Sequence, residues 1–297
     1  MTASTGDATA WERPTPELLE QVLKLLRPWE ILTNPLFFGM DALPTARPLL
    51  FVGNHTVMGM LDIPLMIAEL YRRQGIFLRS LGDHAHFRIP VWGELLTKLG
   101  AIDGTRENCA RLMAAKETIL VFPGGGREVA KRKGEKYRLI WKDRTGFARM
   151  AIQHGCAIVP FAAVGAEESV DIVLDAGEIF ASPAGMVLQK LGIRPDIVIP
   201  FVRGIGPTPL PRPVRLYFKF CEAIDVSPWA GRHEDEAARF ELRDVVKGAV
   251  EQAIEELREY RRGDPEKHLF ARVLAELRRL AEERSAAAPD APSPDAP

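Results

Sequence analysis

The chain has 297 residues, 46% hydrophobic and 27% charged, with a formal net charge of −1. That length buries a sizeable core, and the near-neutral balance lacks the basic field that draws nucleic acid, so a nucleic-acid partner is excluded. Three cysteines (Cys109, Cys156 and Cys221) lie far apart without CxxC or Cys/His ligand spacing, which argues against a disulfide framework or a zinc site and fits a reducing interior.

Residues 1–14 are expected to be unstructured, and their composition has neither the basic n-region nor the apolar h-region of a signal peptide. From Pro16 to Arg27, Leu18, Leu19, Val22, Leu23 and Leu26 recur at helical spacing. "WEILTNPLFFGM" (29–40) crowds apolar side chains that suit core packing or insertion into lipid. "PLLFVGN" (48–54) reads as a buried strand, Met60–Arg73 as a helix and "GIFLRS" (75–80) as a strand. A helix through "FRIPVWGELLTKLG" would start or kink at Pro90. "ETILVFPGGG" (117–126) is a strand ending in a glycine loop, and a helix over 144–155 leads into the strand 156–164. Residues 170–195 are mixed, while 196–204 and 213–224 read as strands around a proline-rich turn. Two amphipathic helices follow, through Leu242–Leu257 and Leu269–Leu280, before the Ala/Pro/Asp-rich stretch 285–297, which is expected to be disordered. Strands alternating with helices predict an α/β fold: one domain over 15–284, with a mostly parallel central sheet flanked by helices and amphipathic helices at both ends. The longest uncharged stretch, Met150–Ala166, falls short of the ~20 apolar residues of a spanning helix. Any membrane contact is therefore expected from the surface.

"NHTVMGMLD" (54–62) places His55 just behind a buried strand and Asp62 seven residues on. A turn there, eased by Gly59, would let the carboxylate orient the imidazole to take a proton from a hydroxyl. A lone histidine at a strand end more commonly has a structural role, and the aspartate is what favours chemistry. No G-x-S-x-G elbow supplies a nucleophilic serine, so the proton is expected to come from a bound alcohol. "GAIDGTREN" and "VFPGGGREV" each join glycines to an arginine, Arg106 and Arg127, a combination that presents N–H groups and a charged fork to anions or oxyanions. "KRKGEKYRLIWK" (131–142) mixes basic and aromatic residues, suiting either a solvated segment or contact with donor phosphates or anionic headgroups. "DHAH" (83–86) lacks the further ligand cluster a metal would need, so no metal is expected.

Taken in order, His55…Asp62, Gly100-x5-Arg106, "VFPGGGREV" and "AIVPF" resemble the four blocks of the glycerolipid acyltransferase superfamily. The similarity is greatest over 121–168 and points to the branch of phytyl ester synthases and diacylglycerol acyltransferase-like proteins. The resemblance implies that His55 is the general base oriented by Asp62. It also implies that Asn54, Gly100, Arg106, Pro123, Gly124, Gly125, Gly126, Arg127 and Glu128 bind substrate. The implied reaction moves a fatty acyl group from acyl-CoA or an acyl carrier protein to a lipid hydroxyl, with no cofactor, at the cytoplasmic membrane face. Two departures stand out. Six residues separate His55 from Asp62 where the common motif has four, and Gly124 and Glu128 replace a glutamate and a serine. Their loss leans toward a neutral acceptor (a long-chain alcohol, mono- or diacylglycerol). A lysophospholipid or lysophosphatidate acceptor, a non-catalytic lipid-binding protein and a thioesterase remain open, as does the oligomeric state.

Overall fold

Short apolar runs become the strands of a seven-stranded sheet because each offers side chains to two faces and both faces are covered. The computed structural model describes residues 13–57, 59–191 and 198–286. In chain order, α1 (Pro16–Thr33) precedes β1 (Leu36–Phe38), β2 (Leu49–Gly53), α2 (Ile63–Gln74), β3 (Leu78–Gly82), the short α3 (His84–Phe87) and α4 (Trp92–Lys98). Next come β4 (Ile102–Asp103), α5 (Arg106–Ala114), β5 (Thr118–Val121), the single turn α6 (Gly126–Val129), α7 (Gly146–His154) and β6 (Ala157–Val164). Then follow β7 (Asp171–Leu174), α8 (Ala176–Ala181), α9 (Pro183–Lys190), β8 (Phe201–Arg203), β9 (Tyr217–Phe220), α10 (Glu236–Gly263) and α11 (Leu269–Ala286).

The sheet order is β1–β9–β6–β2–β5–β3–β4, and every neighbouring pair is parallel except β6–β9. β7 and β8 pair antiparallel in a separate two-stranded sheet. The period-2 geometry of β2 divides its side chains. Leu50 and Val52 join α5, α7 and α10 in one core, while Leu49 and Phe51 join α2 and Phe161, Phe218 and Phe220 in the other. This bears out the α/β class and its mostly parallel sheet. α10 lies across β6 with Leu242, Val246, Val250 and Ile254 buried at helical spacing, and Asp235 caps its start.

Several boundaries differ from the periodicity. α1 runs through Pro28 to Thr33, held by Trp29, whose indole N–H donates to Leu61 O at 2.6 Å. The 29–40 stretch packs chiefly into the core: Met40 is buried and Phe37 stacks on Phe218 at 4.8 Å. Arg13 lies within the stretch expected to be unstructured, yet it pairs with Glu117 at 2.8 Å. The helix expected around Pro90 is split into α3 and α4. β4 and α5, too short or too polar to signal themselves, were not predicted. α11 continues through Ala286, while 287–297 lie outside the described residues; of the strand expected over 196–204, 196 and 197 lie outside them and Phe201–Arg203 forms β8. The segment 131–142 is a loop of mixed exposure: Lys131, Tyr137 and Trp141 are buried, while Lys133, Lys136, Arg138 and Lys142 are exposed. Cys109 and Cys156 are free thiols in the core.

Candidate active site

Parallel strands collect their C-terminal loops on one edge, where α/β sheets bind ligands. Here β2 delivers His55 to that edge, β3 delivers "DHAH", β4 leads to Arg106, β5 ends at "PGGG" and β6 leads to Glu167. β2 and β5 are hydrogen-bonded neighbours, so the histidine and the glycine turn meet.

The His55 ring lies against Phe122, with centroids 4.2 Å apart, and its backbone N–H donates to Glu128 Oε2 at 3.0 Å. Gly59 backs directly onto the ring. It has φ +58°, and a Cβ there would fall 1.9 Å from His55 Cε1, so only glycine fits both the turn and the contact. Burial, then the positive charge of Lys131, push the imidazole down to about 4. The ring is therefore neutral at neutral pH, with a lone pair free to take a proton.

Asp62 is buried and caps α2. Its Oδ1 accepts from Ile63 N at 2.8 Å and from Thr56 Oγ1 at 2.9 Å. Burial lifts its carboxyl to about 6. The bond expected between Asp62 and His55 is not formed: His55 Nδ1 and Asp62 Oδ2 are both buried without a hydrogen-bond partner. Two extra residues in the loop place the carboxylate at the helix start rather than one helical turn from the histidine.

The remaining expected binding residues fall into two groups. Arg106 is exposed at the start of α5 and lines a cleft with Phe122 and Pro123. Gly125 makes the turn before α6 with φ +52°, and Gly126 is exposed as the first residue of that helix. The others are engaged by the protein itself. Asn54 is fully buried, its amide exchanging two hydrogen bonds with the Ala163 backbone at 2.8 and 2.9 Å, which ties the end of β2 to β6. Gly100, at φ +83°, would carry its Cβ 2.7 Å from the Phe77 ring. Arg127 is buried and donates to Glu135 at 2.6 Å and to Ala130 O. Glu128 bridges His55 N–H and Ile140 N–H, the latter at 2.7 Å. Gly124 leaves room for it, since a Cβ there would meet Glu128 Cδ at 2.1 Å.

Behind this turn lies a buried Lys131–Glu167 pair, with Glu167 also accepting from Tyr137 N–H at 2.6 Å. Nothing in the local pattern marks Lys131 as buried rather than surface. Phe122, Arg144, Arg149 and Arg239 also escaped sequence reasoning, because they come together from β5, α7 and α10 only in the fold. Asp83 caps α3, and His86 Nδ1 accepts from Trp92 Nε1 at 3.4 Å. Among the described residues no three His, Cys, Asp or Glu side chains are grouped to hold a metal.

The sequence profile of the family described as Acyltransferase matches residues 36–164. Over 261 residues the chain is 29% identical to phytyl ester synthase 2, chloroplastic, of Arabidopsis thaliana, covering 80% of this chain and 36% of that one. Over 122 residues it is 33% identical to the DGAT1/2-independent enzyme synthesizing storage lipids of Bos taurus, covering 41% and 36%. The chain thus spans little more than a third of the length of these relatives. Its fold is similar to that of the 1-acyl-sn-glycerophosphate (LPA) acyltransferase PlsC of Thermotoga maritima. The TM-score is 0.50 at 17% identity, over 81% of this chain and 80% of that one.

Proposed function

From its place in the glycerolipid acyltransferase superfamily, to which this chain belongs, we propose that the protein moves a fatty acyl group from an acyl thioester to a neutral lipid hydroxyl. One observation carries this reading: the "FPGGGRE" stretch holds His55 twice, through Glu128 on its backbone N–H and Phe122 against its ring. Two blocks 73 residues apart in sequence thereby form one unit. In the proposed reaction neutral His55 takes the proton of the acceptor hydroxyl, whose oxygen forms a bond to the thioester carbonyl carbon. The tetrahedral oxyanion is held by N–H groups or cations at the glycine turn. As it collapses, the carbon–sulfur bond breaks and the leaving thiolate recovers the proton from the imidazolium. A small rotation that lets His55 Nδ1 donate to Asp62 Oδ2 would satisfy two orphaned buried atoms and stabilise that imidazolium.

The acceptor is proposed to be a long-chain alcohol or a mono- or diacylglycerol. Arg127, the arginine that the third block offers to an acceptor phosphate, is spent on Glu135. A lysophosphatidate acceptor is the second reading, favoured by exposed Arg106. The protein is further proposed to work at the cytoplasmic membrane face. No described helix is long and apolar enough to cross a membrane, while Val187, Leu191, Phe201 and Leu210 are exposed. The test is thiol release from acyl thioesters with a panel of alcohols, partial glycerides and lysophosphatidate, with products identified by mass spectrometry. Release that needs both a neutral acceptor and His55 supports the reading. Release without acceptor points to a thioesterase, and none across the panel to a lipid-binding protein.

A further inference from the structure

The ion pair of Lys131 with Glu167 is wholly buried, and we propose that it is a positioning device for the general base, acting on His55 through Glu128. The proposal rests on the acyl-transfer reading and adds to it the residues that keep the anchor of His55 in place. Stability alone does not account for such a pair. Two apolar side chains of similar volume would fill the space at equal or better stability, because the attraction between buried charges only roughly offsets the cost of taking them from water.

Hydrogen bonds trace the path from the pair to the histidine. Glu128 accepts from His55 N–H at 3.0 Å with one oxygen and from Ile140 N–H at 2.7 Å with the other. Glu167 repeats the arrangement, accepting from Tyr137 N–H at 2.6 Å with one oxygen and from the Lys131 ammonium with the other. Residues 137–140 are thus hung between two carboxylates. Tyr137 is fixed further by its hydroxyl, which donates to Glu168 and accepts from Gly165 N–H at 3.0 Å. Glu128, Lys131 and Glu167 are all buried, so they act on His55 rather than on substrate.

Charge gives the path its purpose. Lys131 follows Glu128 by three residues, about one turn of chain, and its ammonium counters the burial that pushes the Glu128 carboxyl up. Glu167 pushes that carboxyl the other way, but less than Lys131 does. The remaining charged groups around the turn are engaged elsewhere. Arg127 pairs with Glu135, Arg144 is turned to the carbonyls of Pro123 and Gly124, and Asp62 is bonded to Thr56 and Ile63. A carboxylate accepts two N–H bonds strongly, whereas a carboxylic acid carries a proton on one oxygen and grips more weakly. Lys131 therefore keeps Glu128 a two-armed acceptor for His55 and Ile140, and Glu167 keeps Lys131 in place.

The experiment uses Lys131→Met/Glu167→Leu in the full chain, which removes both charges together and strands neither. The backbone amide proton of His55 is followed by NMR against pH, a readout of Glu128 ionisation that needs no turnover. Turnover of palmitoyl-CoA with hexadecanol is measured over the same range, with Glu128→Gln as the reference that has lost the carboxylate. The double variant should keep a Tm close to wild type, and its His55 amide should titrate at higher pH than in wild type. At pH 7 its kcat should fall at least ~tenfold with both KM values within about twofold, as expected for a displaced base. That loss should recover as pH is raised, whereas Glu128→Gln should stay low throughout. Glu167→Gln alone, which keeps Lys131, should move the amide titration to lower pH. An amide titration unchanged in both Lys131→Met/Glu167→Leu and Glu167→Gln, or a kcat loss equal at every pH, would overturn the assignment. If no thioester is consumed by any of the proteins while the amide titration moves as described, the positioning network stands and the acyl-transfer reading fails.

Discussion

Glu128 occupies the space that a side chain at position 124 would need, and it is pinned there by the N–H groups of His55 and Ile140. The glycine and the glutamate of "PGGGRE" are therefore one arrangement rather than two changes. Gly124→Ala should cost roughly 1–3 kcal/mol by displacing a bonded, buried carboxylate. The same change should cost close to nothing in a Glu128→Ala background, a coupling that a urea-denaturation double-mutant cycle measures. His55→Ala should lower turnover by about 10²–10⁴ with the circular dichroism spectrum unchanged. With its imidazole near 4, kcat/KM should not follow an ordinary histidine titration at 6.5; its acid limb should instead begin as Asp62, near 6, gains a proton and ceases to stabilise the imidazolium. Stability carries a signed counterpart. Between 6.5 and 4 the unfolded chain binds the histidine proton more readily, so that group destabilises the fold as pH falls through the window. Asp62, raised from 3.8 to about 6, binds its proton more readily when folded and offsets this over roughly the same range. Asp62→Asn, which keeps a capping residue, should unmask the histidine, with Tm dropping more steeply than wild type from pH 6.5 to 4.

At the level of elements, the loop between β2 and α2 decides what Asp62 does. The periodicity starts a helix at Met60, but α2 begins at Ile63 because Asp62 is its cap and Pro64 suits the first turn. A carboxylate in that role holds one oxygen on the helix and leaves the other to turn toward His55. The 131–142 segment shows the opposite case. Its charges suggested a surface, yet Lys131 is neutralised inside by Glu167. Lys131→Met alone should cost about 3–5 kcal/mol by stranding Glu167, and Lys131→Met/Glu167→Leu should recover much of that in chemical denaturation. α10 was legible because its burial repeats at helical spacing. Leu242→Ala should cost roughly 2–5 kcal/mol in the same measurement.

Across the whole molecule, five parallel strands aim their C-terminal ends at one edge, and that geometry converts scattered motifs into a site. The proposed lipid-facing side belongs to this scale too. Phe201→Ser with Val187→Ser should reduce sedimentation with anionic vesicles several-fold while leaving Tm near wild type, since both side chains are exposed. The association of His55 with a glycine–arginine turn 73 residues away followed from the resemblance to a known family. The α/β class, the central strands and α10 could be read in one dimension, because each depends on local periodicity. The partners of Asp62, the burial of Lys131 and Arg127 and the meeting of Arg106 with Arg144, Arg149 and Arg239 could not. A buried charge looks the same as a solvated one until its partner is in place, and those partners come from strands and helices that only the folded sheet brings together.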